Sequence, residues 1–145
     1  MVIDQEFQLL EPGKGELLRE GKDILILPVG NRVYPALRAA EGLEKIGIEA
    51  AVINPRFINP LDKELICHWA QKTGRLLTVE DNIHHGGFGS LVLELLSENR
   101  LYNIKTTLLA HPDQFIEHGP QKTLWKNSHL DSPSIIHAAM ELMKE

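Results

Sequence analysis

The chain has 145 residues, of which 43% are hydrophobic and 24% charged, and its formal net charge is −5 at pH 7. These values are typical of a single globular domain. A negative net charge provides no basic footprint for a nucleic acid or an anionic membrane surface. No run of about 18 apolar residues occurs, so no transmembrane helix is expected.

The N-terminal residues and the cysteine content both predict an intracellular setting. Residues 1–6 lack the basic region and the apolar core of a secretory signal. Cys67 is the only cysteine, so no internal disulfide can form, and a reducing, cytoplasmic setting is expected.

Short apolar runs and amphipathic stretches alternate along the chain. The order is a short edge strand at 15–20, a strand at 24–29, a helix at 33–46, a strand at 48–53, a helix at 60–72, a strand from 76, a helix at 90–96, a strand at 104–109, a short helix at 121–126 and a last helix from 132. This alternation predicts an α/β fold with a mostly parallel sheet covered by helices on both faces. We divide the chain into a linker and edge strand at 1–22 and an α/β domain at 23–145.

Several local features are specific enough to be tested. Asn59 followed by Pro60 is predicted to cap the second helix, and Thr73 followed by Gly74 to end it. The last helix is predicted to bury one face, made of Ile135, Ile136, Ala139, Met140 and Met143.

The stretch from Leu76 to Leu96 is the expected centre of function. Its strand ends in two carboxylates, and a glycine-rich turn then leads into a helix. Ligands and partner surfaces collect at the carboxyl ends of strands in parallel sheets. This turn is therefore the first place to look for a site.

The turn contains Gly86, Gly87, Gly89 and Ser90. It can be a phosphate cradle, in which backbone N–H groups and the helix dipole face an anion. It can equally be a tight turn whose glycines permit positive φ and close packing. The spacing matches neither the P-loop nor the dinucleotide fingerprint, which favours the structural interpretation.

Glu80 and Asp81 are expected to close the preceding strand. Adjacent strand residues point to opposite faces, so the two are not expected to act as a catalytic acid–base pair. Hydrogen bonds to turn amides, or a salt bridge across an interface, are the favoured roles. A Ser-His-Asp triad stays possible in principle, although no Gly-x-Ser-x-Gly elbow supports one.

Other candidates lie outside this stretch. The His84-His85 pair suggests a metal only weakly, because structural zinc takes four ligands. Arg56 follows a strand and can bind a phosphate or tie a loop to a carboxylate. Phe115 and Ile116 are expected to be buried, leaving Glu117 and His118 to cap local backbone or to face a partner surface.

Five segments occur here in one order: residues 13–21, 56–62, 78–82, 86–90 and 112–119. Together they make the chain resemble the C-terminal domain of 1-deoxy-D-xylulose-5-phosphate synthases, within the transketolase superfamily. The segment Phe-Ile-Glu-His-Gly at 115–119 is the most specific to the synthases. The resemblance implies a three-layer α/β/α domain whose five-stranded sheet has one antiparallel edge strand at 15–20. It also implies that the strand at Ile24 lies between those at Ile48 and Leu76, with the switch point between residues 30–32 and Glu80-Asp81.

The resemblance implies that thiamine diphosphate and Mg²⁺ are bound by two upstream domains of the parent enzyme. Their Gly-Asp-Gly signature does not occur in this chain, so no catalytic, cofactor-binding or metal-binding residue is carried over. The parent reaction would join pyruvate and glyceraldehyde 3-phosphate with release of carbon dioxide. This chain would be an excised structural and interface domain of a homodimer, inactive alone.

Two alternatives stay open. The chain can be the C-terminal domain of a transketolase or of a 2-oxoacid dehydrogenase β subunit, because the Val-Glu-Asp turn at 79–81 is shared with both. It can also be a free-standing module that binds an anion, a nucleotide or a protein partner.

Overall fold

Five strands form the central sheet of this computed structural model, which describes residues 9–144. The elements are β1 (Glu16–Arg19), β2 (Ile24–Pro28), α1 (Val33–Glu44), β3 (Ala50–Asn54), α2 (Lys63–Thr73), β4 (Arg75–Ile83), α3 (Phe88–Glu98), β5 (Lys105–His111), α4 (Gln121–Asn127) and α5 (Ser132–Lys144). The strand order is β1-β3-β2-β4-β5. β1 pairs with β3 in antiparallel fashion, and the other three pairings are parallel.

The predicted architecture is confirmed, including the antiparallel edge strand and the position of β2 between β3 and β4. Residues 1–8 of the predicted linker, and Glu145 at the end of the predicted domain, lie outside the described residues.

Helices cover both faces of the sheet, which gives three layers. Ile24 and Ile26 of β2 belong to the core shared with α1 and α5. Leu25 and Leu27 belong to the core shared with α2 and α3. Because successive strand residues point to opposite faces, a strand buried on both faces must be apolar throughout, which explains the continuous run at this position.

The prediction that Asn59 caps α2 is wrong. The helix begins at Lys63, and its N-cap is Asp62, whose Oδ1 accepts a hydrogen bond from the backbone N–H of Leu65 at 3.1 Å. The other oxygen, Oδ2, accepts from the N–H of Gly15 at 3.0 Å. One carboxylate thus caps the helix and fastens the entry to β1, while Asn59 and Pro60 stay in the preceding loop with a cis peptide bond between them. The predicted end of the helix is confirmed, with Gly74 in the left-handed conformation.

Three further boundaries or faces differ from expectation. β4 continues past Asp81 to Ile83, which pairs with His111 after a shift in register. α3 begins at Phe88 rather than at Ser90. In α5 the buried residues are Ile135, Ala139 and Leu142, a spacing of four and three, whereas Met140 is exposed; the helical period selects Leu142 in its place.

Candidate functional site

Glu80 is buried at the end of the sheet and points toward α3. Its Oε2 accepts a hydrogen bond from the N–H of Phe88, and its Oε1 accepts one from the N–H of Gly89, both at 2.7 Å. These are two of the N–H groups that a helix start leaves free, and the positive end of the helix dipole favours a carboxylate there. An internal anion therefore occupies the amides that an external phosphate would need.

The glycine-rich turn is built around that carboxylate. A Cβ atom at Gly87 would overlap the Glu80 carboxylate and the carbonyl oxygen of Ile83. Gly86 has φ of +73°, and its N–H donates to Ser90 Oγ at 3.0 Å. The glycines thus permit close packing and a left-handed residue, which agrees with the structural interpretation of the turn.

Asp81 points the opposite way and gathers three donors. Its Oδ1 lies 2.7 Å from His111 Nε2, and its Oδ2 accepts from Asn31 Nδ2 at 2.7 Å and from Trp125 Nε1 at 2.8 Å. Burial acts to raise the pKa of Asp81, but the hydrogen bonds from Asn31, His111 and Trp125 and the charge of Arg32 outweigh it and hold this pKa below its ordinary value of 3.8. Asp81 is therefore an ionised anchor that joins β4 to the turn after β2, to β5 and to α4.

Arg32 is the buried cation of this network, and sequence reasoning did not single it out. Its Nε donates to Asn31 Oδ1 and its Nη1 donates to the carbonyl oxygen of Leu130, both at 3.0 Å. Its guanidinium carbon lies 3.5 Å from the centroid of the Trp125 ring. Burial lowers the pKa of Arg32, and the charge of Asp81 opposes that shift. The position of Asn31 and Arg32 directly after β2, beside β4, was the available signal.

His111 connects Asp81 to Ser128. Its Nδ1 lies 2.8 Å from Ser128 Oγ, so an Asp-His-Ser sequence of contacts is present. Ser128 caps the C-terminus of α4, and its N–H is bonded to the carbonyl oxygen of Leu124. A helix C-terminus presents carbonyl oxygens and negative dipole, whereas acyl transfer needs N–H donors for a developing oxyanion. This contact therefore anchors α4 and does not resemble a hydrolase site.

The remaining predicted site residues lie apart from this network or at its rim. Arg56 Nη2 forms a salt bridge with Glu16 Oε2 at 2.7 Å, which is the loop-tying role. Glu117 and His118 are exposed and line a depression of about 490 Å³ together with Asp81. The expectation that Phe115 is buried is wrong, because its side chain is 92% exposed, and Ile116 is half-buried.

The histidine pair does not assemble a metal centre. The rings of His84 and His85 stack edge to face with centroids 5.2 Å apart, and His85 Nδ1 lies 3.7 Å from Asp113 Oδ2. Across residues 9–144, no three His, Cys, Asp or Glu side chains are grouped to hold a metal ion. In the same part of the chain, no helix has the length and apolar character needed to cross a membrane.

Comparison with known proteins agrees with the fold. The sequence matches the family model described as "Transketolase, C-terminal domain" over residues 13–135. It is 64% identical over 141 residues to a 1-deoxy-D-xylulose-5-phosphate synthase of Desulfotalea psychrophila, and 48% identical over 143 residues to one of Halothermothrix orenii. These alignments cover 97% and 99% of this chain but 22% of each relative. The chain thus spans about a fifth of the length of the curated relatives it matches.

Solved structures have the same fold. A protein described as a split-gene transketolase, an inactive β4 tetramer, superimposes with a TM-score of 0.86 at 36% identity, covering 93% of this chain and 44% of that one. The transketolase of Campylobacter jejuni superimposes with a TM-score of 0.60 at 17% identity, covering 89% of this chain and 18% of that one. Sequence and fold together place the chain in the transketolase C-terminal domain family, as a domain of the kind found in 1-deoxy-D-xylulose-5-phosphate synthases.

Proposed function

We propose that this chain serves as the C-terminal structural and interface domain of a 1-deoxy-D-xylulose-5-phosphate synthase-like enzyme. The parent would be a cytoplasmic, thiamine-diphosphate-dependent homodimer that joins pyruvate and glyceraldehyde 3-phosphate and releases carbon dioxide. The 64% identity to a relative of which this chain covers 22% supports the proposal. The catalytic parts would then belong to upstream domains of the same chain or to a separate subunit.

The residues described here do not fit thiamine diphosphate or Mg²⁺. Glu80 occupies the N–H groups of Phe88 and Gly89, so a diphosphate would meet a buried carboxylate at the glycine-rich turn. No acidic or histidine trio is placed for a metal within residues 9–144. Because the carboxylate of Glu80 already binds these N–H groups, the turn favours a structural role over a ligand-binding role. The proposal depends on this observation.

The direct test compares the chain alone with the chain in a complete enzyme. The 145 residues are incubated with thiamine diphosphate, Mg²⁺, pyruvate and glyceraldehyde 3-phosphate, and carbon dioxide and sugar phosphate are measured. We expect no turnover. The same 145 residues, exchanged for the matching segment of the D. psychrophila synthase, are expected to support turnover. Turnover by the chain alone, or an inactive exchange protein that is folded and dimeric, would reject the proposal.

The rival function is anion binding by a free-standing module. A ligand with Kd near 1 mM, present at about 10 mM, would raise the free energy of unfolding by about 1.4 kcal/mol. That gain would appear as a rise of a few degrees in Tm. Phosphate, diphosphate and nucleotides are expected to give no such rise at constant ionic strength, because Glu80 occupies the amides they would need.

A further inference from the structure

Four shallow depressions adjoin one another along the carboxyl ends of β2, β3, β4 and β5. The largest, of about 490 Å³, lies between Asp81 and Phe115. Three others, of about 460, 360 and 330 Å³, all include Ile58, and the last of them also includes Asp81. We call this continuous area the strand-end surface and define it by six residues: Ile58, Pro60, Asp81, Asn82, Leu91 and Phe115.

Large apolar side chains project from the strand-end surface. Phe115 is 92% exposed and Ile58 is 46% exposed. Ile83, at the end of β4, is exposed as well. Apolar side chains grouped around concave features, with polar residues between them, are characteristic of protein interfaces.

The base of this surface is held rigidly. Asp81 fixes Trp125 and His111 through hydrogen bonds of 2.8 and 2.7 Å, and both side chains line the depression beside Phe115. On the other side, Glu80 fixes the start of α3. A surface that is ordered before binding loses less conformational entropy when a partner packs on it.

The direction of β1 brings the incoming chain to the same place. Because β1 is antiparallel, its first residue, Glu16, pairs with Asn54 at the carboxyl end of β3. Just before β1, a Cβ atom at Gly13 would lie 2.9 Å from Cγ of Pro60, within the strand-end surface. Further upstream, Leu9 and Leu10 are exposed. In a longer parent, the segment that enters this domain therefore arrives at the strand-end surface.

The charges on this surface indicate which charges a partner would carry. Glu94 lines two of the depressions, and Glu117 lines the largest. Lys63 also lies here, but it is paired with Glu98 at 3.5 Å. The surface is thus apolar with an acidic border, and it fits an apolar face that carries Arg or Lys opposite Glu94 and Glu117.

We infer that the strand-end surface is the face on which the thiamine-diphosphate-binding region of the parent packs, with Ile58 and Phe115 as its apolar anchors. This inference rests on the proposed function and adds the surface, the anchors and the charge of the partner. A second copy of this chain is the competing occupant.

Hydrogen–deuterium exchange locates the covered face. The wild-type exchange protein, in which this chain replaces the matching segment of the D. psychrophila synthase, is compared with the 145 residues alone. Amides in loops 56–62, 84–87 and 112–119 are expected to exchange with deuterium at least about tenfold more slowly when this chain is part of the complete synthase than when it is alone. Loops 45–48 and 99–104, at the opposite end of the sheet, are expected to exchange equally in both.

Matched substitutions test the anchors. Ile58→Glu and Phe115→Asp are made in the exchange protein, with Ile46→Glu and Tyr102→Asp as controls. The controls lie at the opposite end of the sheet and are similarly exposed, at 54% and 76%. The anchor variants are expected to lose turnover by about tenfold or more and to expose residues 9–14 to protease. The controls are expected to keep the wild-type values.

The outcomes separate the inference from the proposed function. A wild-type exchange protein that is folded and dimeric but inactive would reject the proposed function and, with it, the inference. An active one whose strand-end amides exchange as in the chain alone, or whose anchor and control variants behave alike, would reject only the inference. Dimerisation of the 145 residues that Ile58→Glu abolishes would assign the surface to a second copy instead. Thermal melts of the variant 145-residue chains, expected to match wild type because the sites are exposed, exclude misfolding as the cause.

Discussion

Arg32 and Trp125 are 93 positions apart in sequence, yet the guanidinium carbon of Arg32 lies 3.5 Å from the centroid of the Trp125 ring. The indole N–H of Trp125 donates to Asp81 at 2.8 Å. Trp125 thus contacts a buried cation with its face and an ionised carboxylate with its edge. α4 contains no fully buried residue. Its attachment to the sheet therefore depends on the half-buried Trp125, which also packs against the apolar core, and on the contact of Ser128 with His111.

Trp125→Phe is therefore expected to lower the free energy of unfolding by about 1 to 3 kcal/mol. Phenylalanine keeps an aromatic face for Arg32, but it is a weaker cation–π partner than tryptophan. It also loses the hydrogen bond to a charged acceptor. Urea unfolding at neutral pH measures the change.

A double-mutant cycle assigns the loss to the proposed contact. Asp81→Asn combined with Trp125→Phe should be less destabilising than the sum of the single changes, by about 1 kcal/mol. Strict additivity would mean that the indole hydrogen bond contributes nothing. Tyr102→Phe, at an exposed position, is the control and should change stability by less than about 0.5 kcal/mol.

Asp81 also makes the free energy of unfolding depend on pH in the acidic range. Its pKa in the folded protein is lowered below 3.8, so the folded state binds this proton less readily than the unfolded state does. The stabilisation is complete above the unfolded pKa of about 4 and is lost as the pH falls through the folded pKa. Asp81→Asn should reduce stability at pH 7 by about 2 kcal/mol and flatten the decline below pH 4.

The control for this measurement of stability against pH is a carboxylate without hydrogen-bond donors like those of Asp81. Asp113→Asn serves, because Asp113 is exposed and its ion-pair contact with His85 is 3.7 Å long. This variant should follow the wild-type curve of unfolding free energy against pH. If Asp81→Asn also followed the wild-type curve below pH 4, the ionised anchor would not contribute to folding.

The sheet and its layers could be predicted because their signals are local. The apolar run at Ile24–Pro28 and the change to polar residues after it are visible within a few positions of the sequence. The alternation of strands with helices then restricts the topology. The network around Asp81 could not be predicted in this way. Its bonds to Trp125 and Asn31 span 44 and 50 positions, and neither periodicity nor capping patterns report contacts at that range.

The error at Phe115 has a different cause. Its burial was inferred from side-chain type, but hydrophobic residues are often exposed, and the rule that buried residues are apolar does not work in reverse. The misplaced cap of α2 is similar, because Asn59 and Asp62 are both good capping residues. Asp62 also accepts a hydrogen bond from the N–H of Gly15, 47 positions away, and a local capping pattern does not report such a contact.

Glu80→Gln is expected to cost about 2 to 4 kcal/mol. The buried carboxylate accepts two hydrogen bonds, and glutamine has one acceptor oxygen, so its NH₂ group would face a backbone N–H. Glu94→Gln is the matched control, at an exposed position of the helix that Glu80 caps, and it should change stability by less than about 0.5 kcal/mol. Equal effects of the two substitutions on urea unfolding would show that Glu80 does not hold the start of α3.

Gly86 and Gly87 are neighbours with different reasons to be glycine, and alanine substitutions separate them. Gly86 has φ of +73° with nothing within 4 Å of an added Cβ, so Gly86→Ala should cost only the left-handed strain of about 1 to 2 kcal/mol. At Gly87 an added Cβ overlaps the Glu80 carboxylate and the Ile83 carbonyl. Gly87→Ala must therefore break the cap or move the backbone, and it should cost at least about 3 kcal/mol.

Urea unfolding of the two variants gives the comparison, with Gly47→Ala as a second left-handed position in open space. Gly47→Ala and Gly86→Ala should agree, because only backbone conformation changes in each. If Gly87→Ala were no worse than these two, the turn would have room beside Glu80. An external anion could then compete for the N–H groups of α3, and the phosphate interpretation of the turn would be favoured over the structural one.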